Sequence, residues 1–234
     1  MAVSDILEDY DEEPLGIGIG MPGMVSMDRQ VLKNPPNLPG FKVENVADQV
    51  EKRTGLKCVI GNDANLAAFG SARFGVGRDF DSFIMITLGT GVGGGIIYNN
   101  QIYRGTTGMA AELGHVIIDY HGPLSNSNTR GDIEAYLGQR FLSRYAADAI
   151  RQETDNPLYK TFHKDFEKLE PVDLYHAAKE GNSLALEILR KTGEKLGYAI
   201  VNYIHILDIR KIVVSGGVAK AGKFILGPAK ETAN

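Results

Sequence analysis

Asp63, in the run Asn62-Asp63-Ala64-Asn65, is a carboxylate placed where proton transfer could be done. It stands where the apolar run Leu56-Lys57-Cys58-Val59-Ile60 gives way to an alanine-rich helical pattern that reaches about Phe74. An aspartate at such a seam can cap the helix, an ordinary use worth about 1 kcal/mol. It can also be a general base at the carboxyl end of a strand, where α/β proteins place ligands. Local sequence leaves both readings open. Further along, Ala110-Ala111-Glu112-Leu113-Gly114-His115 sets a carboxylate and an imidazole three residues apart, within mutual reach if the segment is helical. A histidine beside an apolar run is more often structural, so this pair alone decides nothing.

Three glycine clusters carry the next signal. Thr87-Leu88-Gly89-Thr90-Gly91-Val92-Gly93-Gly94-Gly95 lies between the apolar run Phe83 to Ile86 and a second run, Ile96-Ile97-Tyr98, that leads to a hairpin turn at Asn99-Asn100. Glycines so dense allow positive φ and close approach, and their exposed N–H groups make an anion site. Gly89, Gly91 and Gly94 also fit the dinucleotide string G-x-G-x-x-G, which requires a helix next; here a strand-like run follows. The stretch therefore reads as a phosphate loop between two strands, with a ligand-free glycine hairpin as the alternative. A second such string, Gly18 to Gly23, fails the same requirement at Pro22. The third cluster, Gly216-Gly217, follows a short β-branched strand at Arg210 to Ser215.

The elements that must position these residues alternate in type. Residues 1 to 14 are acidic, with Ile6, Leu7 and Tyr10 at helical spacing, and Leu15 to Met21 alternates as a strand. Asn34-Pro35-Pro36-Asn37-Leu38-Pro39-Gly40 is a loop whose asparagines suit turns better than ligand contacts. Val43 to Thr54 predicts an amphipathic helix stopped by Gly55. Asp132-Ile133-Glu134-Ala135-Tyr136 starts a helical run with Asp132 as a candidate cap, and breaks fall at Asn156-Pro157 and Glu170-Pro171. The strongest helix spans Ser183 to Leu207, with Leu184, Ile188, Leu196, Ile200, Tyr203 and Ile204 at three- and four-residue spacing. Val218 to Asn234 reads as loop with some helix.

Composition excludes several classes. The 234 residues can bury a real core as one large or two small domains. A net charge of −4 with scattered basic residues gives no footprint of a nucleic-acid binder. The single cysteine, Cys58, rules out an internal disulfide and fits a reducing, cytoplasmic setting. The opening segment lacks the basic and apolar regions of a secretory signal. No apolar run approaches the roughly 20 residues of a membrane span.

Taken in order, GIGMPG, NPPNLPG, NDANLAAFG, TLGTGVGGGII, AAELGH, TRGDIEAY and IVVSGGVA resemble the ROK family of sugar kinases and sugar-responsive regulators, and within it the bacterial glucokinases. The resemblance covers residues 15 to 228. It implies an actin-like α/β fold of two ribonuclease H-type domains with a cleft between them, ATP on one side and sugar on the other. In this chain residues 1–77 would be what is present of the first domain and 78–234 the second. Asp63 matches the catalytic base. Asn62, Glu112, His115 and Glu134 match positions that hold sugar hydroxyls. Gly89, Thr90 and Gly91 match the second phosphate loop, and Gly216 and Gly217 the adenosine motif. The implied reaction is ATP-dependent phosphorylation of a hexose, glucose before others, with Mg²⁺ bridging the phosphates. A homodimer is the implied assembly, and a catalytically inactive sugar-binding or regulatory protein is the alternative.

Three departures from the pattern matter. The family pairs a histidine, here His115, with C-x-C-G-x-x-G-C cysteines to bind zinc, whereas this chain has Ser125, Ser127 and Asp132 at those positions. Hydroxyls are poor zinc ligands beside thiolates, so no structural zinc is expected and hydrogen bonds must hold the loop. A D-x-G-G-T phosphate loop has no counterpart before Gly16, and helical structure expected beyond the adenosine motif has none after Asn234. The expectation is a fold truncated at both ends, with nothing before Leu15 that could form a helix-turn-helix.

Overall fold

The computed structural model describes residues 14–35, 38 and 40–234. The helix expected from Ile6, Leu7 and Tyr10, and three residues of the proline-rich loop, Pro36, Asn37 and Pro39, lie outside them. The chain forms two compact units, residues 1–81 with 95–111, and residues 82–94 with 112–234.

In the first unit β1 (Ile17–Met21) pairs in parallel with β5 (Cys58–Asn62), Ile17 opposite Cys58 and Met21 opposite Asn62. Beside them β2 (Met24–Val25), β3 (Val31–Lys33) and β4 (Val43–Asn45) make an antiparallel meander. The helix expected from Val43 begins three residues later, as α1 (Val46–Thr54). Val43 pairs with Lys33 in the sheet, and Asn45 turns the chain by accepting the Asp48 N–H at its side chain. Gly55, at φ 73, ends α1 in the left-handed conformation that glycine adopts without strain. Val25, Leu32, Ala47, Cys58 and Ile60 form the core, and burial pushes the Cys58 thiol up from its ordinary pKa. β5 runs directly into α2 (Asp63–Phe74).

Strand β6 (Phe83–Leu88) belongs to the second unit, and β7 (Val92–Tyr98) starts there and ends in the first. The loop between them is only Gly89-Thr90-Gly91, because Gly93, Gly94 and Gly95 are strand residues. Close packing explains two of these three glycines. A Cβ on Gly94 would lie 2.4 Å from a Leu113 methyl, and one on Gly95 would lie 2.5 Å from Cβ of Ala68. The far end of β7 turns through Asn99 (φ 48) and Asn100 (φ 63) into β8 (Gln101–Ile102), as a two-residue hairpin requires.

The second unit is built on β6, whose residues are nearly all buried, as in a strand covered on both faces. Parallel to it runs β9 (Ile212–Ser215), with Ile84 opposite Ile212 and Thr87 opposite Ser215. The helices are α3 (Glu134–Leu137), α4 (Gln139–Arg151), α5 (Pro157–Phe162), α6 (Pro171–Lys179), α7 (Ser183–Leu207) and α8 (Lys223–Ala233). Prolines open α5 and α6, where the missing N–H costs nothing. Among the described residues no helix is long and apolar enough to cross a membrane.

Helices α7 and α8 approach closely at Gly193 and Gly197, and a Cβ on Gly193 would sit 2.3 Å from the Ile225 carbonyl oxygen. Gly193→Ala should therefore destabilise the protein. Alanine is the better helix former by about 1 kcal/mol, but overpacking against backbone costs about 1–3 kcal/mol. A lower urea midpoint at unchanged slope is the expected result; a higher midpoint would show that the helices can part at little cost.

Candidate active site

In the first unit the seam between β5 and α2 divides its work between two residues. Asn62 is the helix cap, its Oδ1 accepting the Asn65 N–H at 3.0 Å, while its Nδ2 donates to the Gly23 carbonyl at 3.3 Å. Asp63 is the first residue of α2, is exposed, and accepts the neighbouring Ala64 N–H at Oδ1, 2.8 Å away. The capping role that the sequence left open for Asp63 thus falls to Asn62. The Asp63 carboxylate stands at the carboxyl end of a strand, where α/β proteins bring ligands.

In the second unit several of the expected residues gather around Val92. Its N–H donates to Oε2 of Glu134 at 3.1 Å. Its carbonyl oxygen lies against Gly114, where a Cβ would approach within 2.1 Å, so the turn bearing Glu112 and His115 rests on the same residue. Tyr203 fixes that turn from α7, its hydroxyl donating to the Leu113 carbonyl at 2.6 Å. The glycine loop is closed by the Gly89 N–H on the Gly91 carbonyl at 2.9 Å, and anchored by the Gln139 N–H on the Gly89 carbonyl at 2.9 Å. A Cβ on Gly91 would lie 2.2 Å from Glu134 Oε2, so a side chain there would push that carboxylate from its place. Gly216, at φ +100, lies directly on the end of β6, with a Cβ position 2.2 Å from the Leu88 carbonyl oxygen.

Glu112 and His115 are both exposed, at opposite ends of one tight turn, with Glu112 Oε2 3.8 Å from His115 Nε2. The other ring nitrogen, Nδ1, lies 3.7 Å from Oδ2 of Asp132, which is fully buried. These separations are too long for direct hydrogen bonds. Asp132 instead accepts Ser125 Oγ at 2.5 Å and Ser127 Oγ at 3.0 Å on Oδ2, and the Ala135 N–H at 3.0 Å on Oδ1. The two serine hydroxyls also meet at 2.8 Å. The loop is thus held by a hydrogen-bonded cluster in which a buried carboxylate is satisfied three times. As a metal site the donor set is a poor fit for zinc, with two neutral hydroxyls where thiolates would be needed. Nearby, the Tyr136 hydroxyl donates to Asp119 Oδ2 at 2.8 Å; burial raises the phenol's pKa, and the bond holds the Asp119 carboxyl below its ordinary value.

Sequence reasoning did not identify the cavity next to Gly217. It measures about 300 Å³ and is lined by Gln139, Pro171, Val172, Tyr175, Gly217 and Lys220, among others. Its walls come from α4, the start of α6 and the turn after β9, more than 30 residues apart in each step, so no local pattern announces them. Gly138 was also missed. A Cβ there would come within 3.2 Å of the Thr90 carbonyl oxygen, so this glycine lets the start of α4 meet the loop.

The sequence profile of the ROK family matches residues 1–232. The chain is 35% identical to a glucokinase of Thermotoga maritima over 97% of its own length and 71% of that protein's. It is 28% identical to a xylose repressor of Caldicellulosiruptor bescii, over 94% of this chain and 54% of the repressor. Among solved structures, a ROK family glucokinase from Streptomyces griseus in complex with glucose and AMPPNP superimposes with a TM-score of 0.83 at 33% identity. The superposition covers 99% of this chain and 75% of that one.

Proposed function

This chain belongs to the ROK family and has its α/β sugar kinase fold, and from that premise we propose that it transfers the γ-phosphate of ATP to a hexose, glucose before others, giving glucose 6-phosphate and ADP. The observation that carries the reading is the second unit's assembly around Val92. A three-residue glycine loop suited to a phosphate leads into Val92, which is bonded to Glu134 and rests against the turn of Glu112 and His115, and the loop's anchor Gln139 lines a nucleoside-sized cavity at Gly217.

Each residue then has a chemical task. Asp63 accepts the proton of the attacking hexose hydroxyl. The hydroxyl oxygen forms a bond to the γ-phosphorus as the bond to the β,γ-bridging oxygen breaks, and ADP leaves with that electron pair. Asn62, Glu112, His115 and Glu134 hold the remaining hydroxyls, supplying the paired donors and acceptors by which a site distinguishes one polyol from another. Thr90 and Gly91 offer backbone N–H groups to the phosphates, Gly89 closes the loop through its own N–H on the Gly91 carbonyl, and Gly216 and Gly217 receive the adenosine. Mg²⁺ would enter with the nucleotide, held by its phosphates. It would neutralise charge across the β- and γ-phosphate oxygens. We place the reaction in the cytoplasm.

A second reading, a sugar-binding regulator without phosphate transfer, is favoured by the similarity to the xylose repressor. An assay coupling ADP release to glucose, mannose, fructose and N-acetylmannosamine separates the two. Turnover should be fastest with glucose. Binding of a sugar by calorimetry with no ADP released from any of the four would overturn the kinase reading in favour of the regulator.

A further inference from the structure

We infer that Ala111 is a positioning residue: its left-handed backbone fixes the peptide leading into Glu112, so that the N–H and the carboxylate of Glu112 meet the hexose together. The inference rests on the hexose kinase reading above and adds to it a backbone donor and the residue that aims it. Ala111 stands at φ 70. That conformation strains any residue with a Cβ, least asparagine and aspartate, whose short polar side chains bond locally. The chain follows this preference at Asn34, Asn99, Asn100, Asn128 and Asp208, which take φ values from 45 to 63. In the loop before Glu112, glycine fills two further left-handed positions, Gly105 at φ 66 and Gly108 at φ 90. Among the described residues only Arg29 and Ala111 depart from the preference. Arg29 is held by its turn, its N–H on the Ser26 carbonyl at 2.9 Å and its carbonyl accepting the Ile60 N–H at 3.0 Å. At Ala111 no such bonds account for the strain: no backbone group of the described residues pairs with the Ala111 carbonyl or the Glu112 N–H. Strain without a local cause, beside a residue assigned to the hexose, points to function.

Alanine does at this position what glycine would not. At φ 70 a Cβ leaves one well, with ψ of about 30 to 60°. Glycine also enters the region with ψ near 180°, which is essentially its own. Passing between those wells turns the 111–112 peptide by more than a quarter turn and swings the Glu112 N–H away. The chain beyond that peptide is already fixed, with the His115 N–H on the Glu112 carbonyl at 3.1 Å and the Tyr203 hydroxyl on the Leu113 carbonyl at 2.6 Å. Alanine therefore removes the remaining backbone freedom at Glu112. A sugar hydroxyl both donates and accepts, whereas a carboxylate only accepts and an N–H only donates. Glu112 supplies both partners from one residue, and a donor fixed in advance costs no ordering when the hexose binds.

The test compares wild type, Ala111→Gly and Ala111→Asn by glucose calorimetry, coupled ADP release and thermal melting. Glycine admits the turned peptide, so the binding-competent fraction falls and glucose affinity should weaken about threefold to tenfold. KM should rise in step, with kcat at saturating glucose within about twofold of wild type, because the chemical step is untouched. Ala111→Gly should melt no lower than wild type, since relief of the left-handed strain offsets the freedom that glycine adds to the unfolded chain. Asparagine keeps a Cβ and tolerates this φ, so Ala111→Asn should bind glucose within about twofold of wild type. Unchanged glucose affinity in Ala111→Gly would overturn the inference. An equal loss in both variants would assign the effect to the side chain rather than the backbone, and a lower melting temperature accompanying weaker binding in Ala111→Gly would make Ala111 a residue of stability; either result overturns the inference as well. A wild type that neither binds nor phosphorylates any of the four sugars would overturn the kinase reading itself, and this inference with it.

Discussion

Replacing Asp63 with asparagine should lower phosphate transfer by about 10²- to 10⁴-fold, the usual contribution of a general base, while hexose affinity stays within a few-fold of wild type. The structure makes this a clean substitution. Asn62, not Asp63, caps α2, so the helix keeps its cap. The asparagine carbonyl can still accept the Ala64 N–H that Asp63 Oδ1 accepts, and the exposed position imposes no packing cost. What is lost is the ability to take a proton. The measurement is kcat by coupled ADP release beside glucose affinity by calorimetry. A variant with kcat within threefold of wild type would remove Asp63 from the chemistry, and one that lost glucose binding as well would make it a sugar ligand rather than a base.

How far such residues could be read from sequence depended on whether their partners were local. Helix α7 was legible end to end, since Ile188, Leu196, Ile200 and Tyr203 recur at helical spacing and all prove buried. The Asn99-Asn100 turn was legible because its two left-handed residues need chemistry that asparagine supplies. At Val43 the periodic signal was real, but pairing with Lys33 claimed the first residues for a strand, and pairing is not visible locally. The run Gly89 to Gly95 was legible as special and misread in extent. Gly94 and Gly95 are strand residues kept small by Leu113 and Ala68, partners no local pattern supplies. The same limit hid the bond from Val92 to Glu134, 42 residues apart, and the walls of the cavity at Gly217. The family resemblance filled part of this gap by assigning roles to Glu112, His115 and Glu134. It could not say that Glu134 accepts the Val92 N–H beside the glycine loop.

The serine and aspartate cluster provides the second large expected effect. Ser125, Ser127 and Asp132 occupy the positions of three cysteines in the C-x-C-G-x-x-G-C pattern, and His115 that of the fourth ligand. Their contacting atoms lie 2.5 to 3.0 Å apart, with His115 Nδ1 3.7 Å from Asp132 Oδ2. Four ligands around zinc with bonds of about 2.3 Å to sulfur need sulfurs roughly 3.8 Å apart, an expansion of about 1 Å that the longer C–S bonds partly supply. The backbone already has the required turn. Asn128 sits at φ 62 where the pattern has its first glycine, and Gly131 sits at φ 66 where it has its second. The triple variant Ser125→Cys, Ser127→Cys, Asp132→Cys should therefore bind one equivalent of zinc, with a free energy on the order of 10 kcal/mol as in other structural sites rich in thiolate. Wild type should bind less than about a tenth of an equivalent, because two of its four donors are neutral hydroxyls already bonded to Asp132. Elemental analysis after purification in reducing buffer reads both, and melting with and without chelator should shift for the variant alone. A full equivalent of zinc in wild type would refute the hydroxyl argument. A folded triple variant that takes up none would show that the loop does not converge on His115 as described.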